Sequence, residues 1–109
     1  RQHALIRQDD QDRRAATGTQ PYVAGAPVNL VFVADATRVN RPGYVEKWSA
    51  VNAAMMAQNV YLYCASVGLG GVVRGAFDGK AVGEALKLPA GHSPVLCFSA
   101  GWPQEQPAP

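Results

Sequence analysis

Between Tyr44 and Val67 the chain contains nothing that ends a helix, and no other feature constrains the fold as much. Trp48, Val51, Met55, Asn59 and Leu62, followed by Ala65, recur at the three- and four-residue steps of a helical face. At ~1.5 Å per residue the predicted helix is roughly 33 Å long. Gly68 supplies the left-handed residue that stops it. Its second half, residues 55–64, is apolar almost all round, with Tyr61, Leu62 and Tyr63 pointing in different directions. A helix of that kind has to be surrounded, and a chain of 109 residues has little else to surround it with.

Composition sharpens the same point. Charged residues make up 17% of the chain, below the ~25% of an average soluble domain, while 48% of residues are hydrophobic. The expected consequence is a surface covered by a partner, a buried cofactor or a further segment. The length allows one domain at most. A net charge of +2, with Arg7, Arg13 and Arg14 interleaved among Asp9, Asp10 and Asp12, forms no basic stripe and argues against a nucleic-acid partner. No apolar run reaches the ~18 residues of a membrane span. Arg1-Gln2-His3 lacks both a starting methionine and the apolar stretch of a signal peptide, so the start reads as processed or truncated. Cys64 and Cys97 each sit among apolar neighbours and read as buried, reduced thiols, which favours a reducing, cytoplasmic compartment.

Along the chain, Ala4-Leu5-Ile6 is a short strand candidate. Asp9 or Asp10 is expected to cap a short helix over 13–16, closed by Gly18. Residues 22–26, bracketed by Pro21 and Pro27, read as irregular. The β-branched run 28–34 reads as a central strand buried on both faces, and 35–43 as a loop. After the long helix, Gly70 and Gly71 read as its closing turn, residues 71–77 as a strand, and Asp78 as the cap of a helix over 80–86. Residues 93–101 form a last buried strand, and 104–109 an extended or disordered tail beyond a folded unit of 1–103. Strand, long helix, strand, short helix, strand is an α+β order.

Several chemistries fail on these residues. Gly68-Leu69-Gly70-Gly71 lacks the third glycine of a dinucleotide fingerprint and runs from helix to strand, the reverse of the required context. No lysine follows a glycine loop and no nucleophile elbow exists. His3 and His92 are isolated and read as solvated, with no metal spacing around them. The acidic residues occupy caps, turns and helix faces, so no catalytic carboxylate pair emerges. What stands out is Gly75 at the end of an apolar strand. It marks either a bulge or close backbone crossing, or a place where a flat heterocycle approaches the main chain. Arg74 beside it either snorkels to a sheet edge or serves that site.

The run 17–24, Thr-Gly-Thr-Gln-Pro-Tyr-Val-Ala, followed by 26–35, Ala-Pro-Val-Asn-Leu-Val-Phe-Val-Ala-Asp, resembles the middle of flavin-dependent nitroreductase-family proteins. So do residues 57–70, with their continuation Val72-Val73-Arg74-Gly75-Ala76-Phe77-Asp78. The closing Ala100-Gly101-Trp102-Pro103 is similar to the Val-Gly-Tyr-Pro in which the family's last strand commonly ends.

The resemblance covers nearly the whole chain in order. It implies an α+β fold, a mixed sheet around a long buried central helix, of which this chain is the C-terminal half. It also implies an intertwined homodimer that encloses FMN, with NAD(P)H as electron donor and a small-molecule acceptor. Val73, Arg74, Gly75 and Ala76 correspond to the strand that runs along the isoalloxazine, where a main-chain N–H near Gly75 faces flavin N5 or O4. That role needs a backbone, so tolerance to substitution at Arg74 and intolerance at Gly75 are expected.

Family members are about twice as long, and the arginine- and serine-containing phosphate motif of their N-terminal part is not in this sequence; nor are basic residues found in 104–109. The isolated half is therefore expected to be inactive, because an anionic phosphate needs cationic or helix-terminal partners. Two functions compete: an FMN oxidoreductase completed by an N-terminal half, and a non-catalytic remnant or partner subunit that dimerises through the long helix without flavin.

Overall fold

The computed structural model describes residues 11–41 and 43–104. The strand candidate at 4–6, the caps at Asp9 and Asp10, His3, and the tail from 105 onward lie outside the described residues. Element order is a 3₁₀ turn Arg14–Thr17, helix α1 Pro21–Gly25, strand β1 Val28–Asp35, a 3₁₀ turn Ala36–Arg38, helix α2 Tyr44–Val67, strand β2 Gly70–Arg74, helix α3 Gly79–Ala85 and strand β3 His92–Gly101. The α+β order holds. The sheet, expected to be mixed, is antiparallel in its three described strands, in the order β1-β3-β2.

Helix α2 has the expected bounds. Gly43 and Gly68 flank it with φ of +75° and +79°, and the Leu69 N–H returns to the Cys64 carbonyl at 2.8 Å. The left-handed glycine lets the chain reverse directly into β2. The residues at the three- and four-residue steps do not face the sheet. Ala53, Ala57 and Cys64 lie against the sheet, while Trp48, Val51, Met55 and Leu62 are exposed on the described chain, Met55 to 62%. Small side chains let the helix approach closely enough to bury Phe32, Phe98 and Ala100 of the sheet, with Val60 and Tyr61 packed at the margin. An apolar sequence with no polar stripe leaves the choice of face to side-chain size.

Other elements depart from expectation in instructive ways. Residues 21–25 form a turn of helix, because Pro21 at its start has a fixed φ suited to a first helical position and loses no needed donor. Gly18 follows the 3₁₀ turn Arg14–Thr17 as its C-cap but is extended (φ 167°) rather than left-handed. Among the three described strands β1 lies at an edge, half-buried over most of its length, and β3 is the central one. Pro94, which has no N–H to donate, falls at the register shift opposite Val33, beyond the stretch of β3 that β2 also pairs with. β2 ends at Arg74, so Gly75 to Phe77 lie past the strand; Gly70 and Gly71 lie inside it. A Cβ on Gly71 would sit 2.6 Å from the Phe98 ring, so that glycine serves ring packing. Asp78 caps α3 as expected, its carboxylate accepting from the Lys80 and Ala81 N–H groups at 3.1 Å.

Candidate functional site

The outer edge of β2 and the segment that follows it carry the predicted site. In an antiparallel pair, alternate N–H groups face the partner strand and the open edge. The Val73 N–H faces the open edge and donates to the Tyr61 hydroxyl of α2 at 2.7 Å. Tyr61 is itself held edge-on against Phe98, with centroids 4.8 Å apart. Gly75 follows directly after the last residue of β2, and its carbonyl accepts from the Phe77 N–H at 3.2 Å in a tight turn. Both Gly75 and Ala76 are exposed, and no acceptor among the described residues takes the Gly75 N–H. A Cβ at Gly75 would meet nothing within 4 Å. No bulge or crossing strand within the described chain explains that glycine; the space beside it is open.

Arg74 does not snorkel. Its side chain turns to the sheet face opposite α2 and is 3% exposed. Nε donates to Ser99 Oγ at 2.9 Å, Nη1 to the Thr17 carbonyl at 2.5 Å, and Nη2 to Thr17 Oγ1 at 3.0 Å and Asn29 Oδ1 at 3.2 Å. Ser99 Oγ in turn donates to Asn29 Oδ1, and Asn29 Nδ2 donates to the Val23 carbonyl at 3.0 Å. A buried hub of this kind cannot be substituted freely, so the expected tolerance at Arg74 is corrected: its removal orphans several buried acceptors. Tyr61, Thr17, Asn29 and Ser99 were not among the predicted site residues. A signal was present, since Asn29, Arg74 and Ser99 each interrupt an otherwise apolar strand sequence.

Cys97, directly opposite Arg74 in the register, is fully buried, as is Cys64 nearly so, and both are free thiols as expected. Burial pushes the Cys97 thiol upward against the opposing pull of Arg74, so it stays protonated. At the other end of β2 an open cleft of about 710 Å³ is lined by Tyr22, Pro27, Gly70, Gly71 and Trp102 among others. His92 is half-buried rather than solvated. It stands opposite Asp35 in the β1–β3 register, with Nε2 3.5 Å from the carboxylate. Asp35 also accepts from Thr37, which holds its carboxyl below the usual range, with His92 and Arg38 adding to the effect. Among the described residues no group of three His, Cys, Asp or Glu is placed to hold a metal, and no helix is long and apolar enough to cross a membrane.

This fold has counterparts among known proteins. The model of the nitroreductase family matches residues 1–102. The oxygen-insensitive NADPH nitroreductase of Salmonella typhimurium is 36% identical over 95% of this chain and 49% of its own length. A solved structure from Ralstonia eutropha JMP134, assigned as a nitroreductase, is 41% identical with a TM-score of 0.79, over 87% of this chain and 46% of that one. The NADPH:FMN oxidoreductase of Vibrio harveyi, solved with NAD+, is 32% identical with a TM-score of 0.70, over 77% and 41%. The chain belongs to the nitroreductase family. It spans about half the length of the curated relatives it matches.

Proposed function

We propose that this chain is the flavin-facing, C-terminal half of an FMN-dependent oxidoreductase that passes reducing equivalents from NAD(P)H to a nitro, quinone or related acceptor. The observation that carries the reading is Gly75, exposed just past the end of β2, with an N–H that no described residue accepts and empty space where a side chain would stand. These residues fit the edge of an isoalloxazine. FMN supplies the redox chemistry when bound. The chain's part is to present the Gly75 N–H, within the segment Val73-Arg74-Gly75-Ala76, as a fixed donor where charge develops on the ring. The Tyr61 bond to Val73 orders the strand just upstream. The phosphate calls for a cation cluster, which this reading assigns to the rest of the relatives' length. The apolar outer face of α2 suits a homodimer and an N-terminal half, and the two buried free thiols suit the cytoplasm.

The test is a Gly75→Val substitution in the complete natural chain. Because a Cβ there meets nothing, thermal stability should be unchanged while flavin affinity drops at least about tenfold, the effect of pushing a planar ligand off its backbone donor. Unchanged affinity would sink the assignment. Wild-type protein that purifies colourless and takes up no added FMN favours the non-catalytic partner instead.

A further inference from the structure

Arg74 carries a charge that no described residue pairs with. Arginine does not lose its proton in proteins, and this one is 3% exposed. Every acceptor it reaches is a neutral oxygen, from Thr17, Asn29 or Ser99. No carboxylate among the described residues pairs with it; the described ion pairs involve Asp12 and Asp35. The Cys97 thiol opposite it stays protonated and offers no counter-charge. Gly18 packs so closely over the guanidinium that a Cβ there would sit 2.5 Å from Nη1. A cation hydrogen-bonded only to neutral groups, with water excluded, projects its field much further than an exposed one.

The next residue in the chain is Gly75. We propose that buried Arg74 sets the reduction potential of the flavin seated on Gly75, raising it by favouring the redox state with the greater negative charge. The inference rests on the flavin reading of Gly75 and adds a residue that touches neither flavin nor substrate. The four hydrogen bonds satisfy the guanidinium without neutralising it, which is what a field device requires. A carboxylate in the Asn29 position would have held Arg74 equally well by geometry and would have cancelled the effect.

The experiment is an equilibrium redox titration against a reference dye, using the flavin-loaded complete natural chain. Asn29→Asp keeps Arg74 in place and puts a negative charge beside it. We expect the midpoint potential to fall, with affinity for reduced over oxidised flavin dropping about tenfold, as one charge across a partly screened interior would produce. Arg74→Met should move it in the same direction, and Arg74→Lys should stay near wild type. A purely structural role predicts the opposite ranking, because Asn29→Asp strengthens the tie and Lys breaks it. An unshifted potential in Asn29→Asp overturns the proposal. If that variant does not fold, equal potentials in Arg74→Met and Arg74→Lys overturn it. Wild-type protein without flavin defeats the flavin reading itself, a separate result.

Discussion

On the α2 side of the sheet, Phe32, Phe98 and Ala100 meet Ala53, Ala57 and Cys64, with the Tyr61 hydroxyl at the margin accepting from the Val73 N–H. On the other side a single guanidinium joins three segments: Thr17 from the first 3₁₀ turn, Asn29 from β1 and Ser99 from β3. The first face is stabilised by area removed from water and by close fit, the second by hydrogen bonds that exist only if every member is in place. The two therefore fail differently. Apolar packing degrades in proportion to volume lost, whereas a polar hub loses several partners at once.

That contrast can be broken by substitution, monitored by denaturant unfolding of the complete natural chain. The largest effect is expected at Phe98, fully buried and in contact with Tyr61. Phe98→Ala should cost about 3–5 kcal/mol, through lost transfer energy and the cavity left behind. Arg74→Met should cost about 2–3 kcal/mol, the penalty of leaving buried acceptors unpaired. A loss within about 0.5 kcal/mol of zero, the range of an ordinary surface change, would mean that the second face is not held as described. Gly71→Ala should cost about 1–2 kcal/mol by overpacking. Its methyl would lie 2.6 Å from the Phe98 ring, and the loss should vanish in a Phe98→Ala background.

The smallest effect is at the sheet's end, on neither face. The Asp35 carboxyl is held low by Thr37, with His92 and Arg38 nearby. A lowered folded pKa means stability that is present above the ordinary aspartate value, about 3.9, and lost as pH falls through the folded one. Asp35→Asn should therefore flatten the acid limb of a stability-against-pH curve and leave the neutral region nearly unchanged. An acid limb identical to wild type would show that the cap bond to Thr37 contributes nothing.

Much of this was legible beforehand. Residues that act within a few positions, such as the left-handed Gly68 after Val67 and the Asp78 cap before Lys80, mark element ends correctly because their physics is local. The strand sequences 28–35 and 92–101 were recognisable from β-branched and apolar runs. Which strand is central was not, since a run of apolar residues says that a strand is buried somewhere and not which neighbours bury it. The Arg74 hub was also out of reach. Its partners stand 57, 45 and 25 residues away, and no periodicity links them. Gly75 was visible as an anomaly; choosing between its two readings required knowing that nothing in the described chain crosses it.

The sequence by itself determined the bounds of the long helix α2, the α+β order and the family resemblance, because these rest on backbone conformation and on contacts between near neighbours in the chain. Only the tertiary structure decided which face of α2 meets the sheet, that Gly71 exists for the Phe98 ring and that Arg74 is buried rather than exposed. Those outcomes depend on the size and polarity of groups brought together from distant positions, and a sum over contacts of that range is made by the folded chain as a whole.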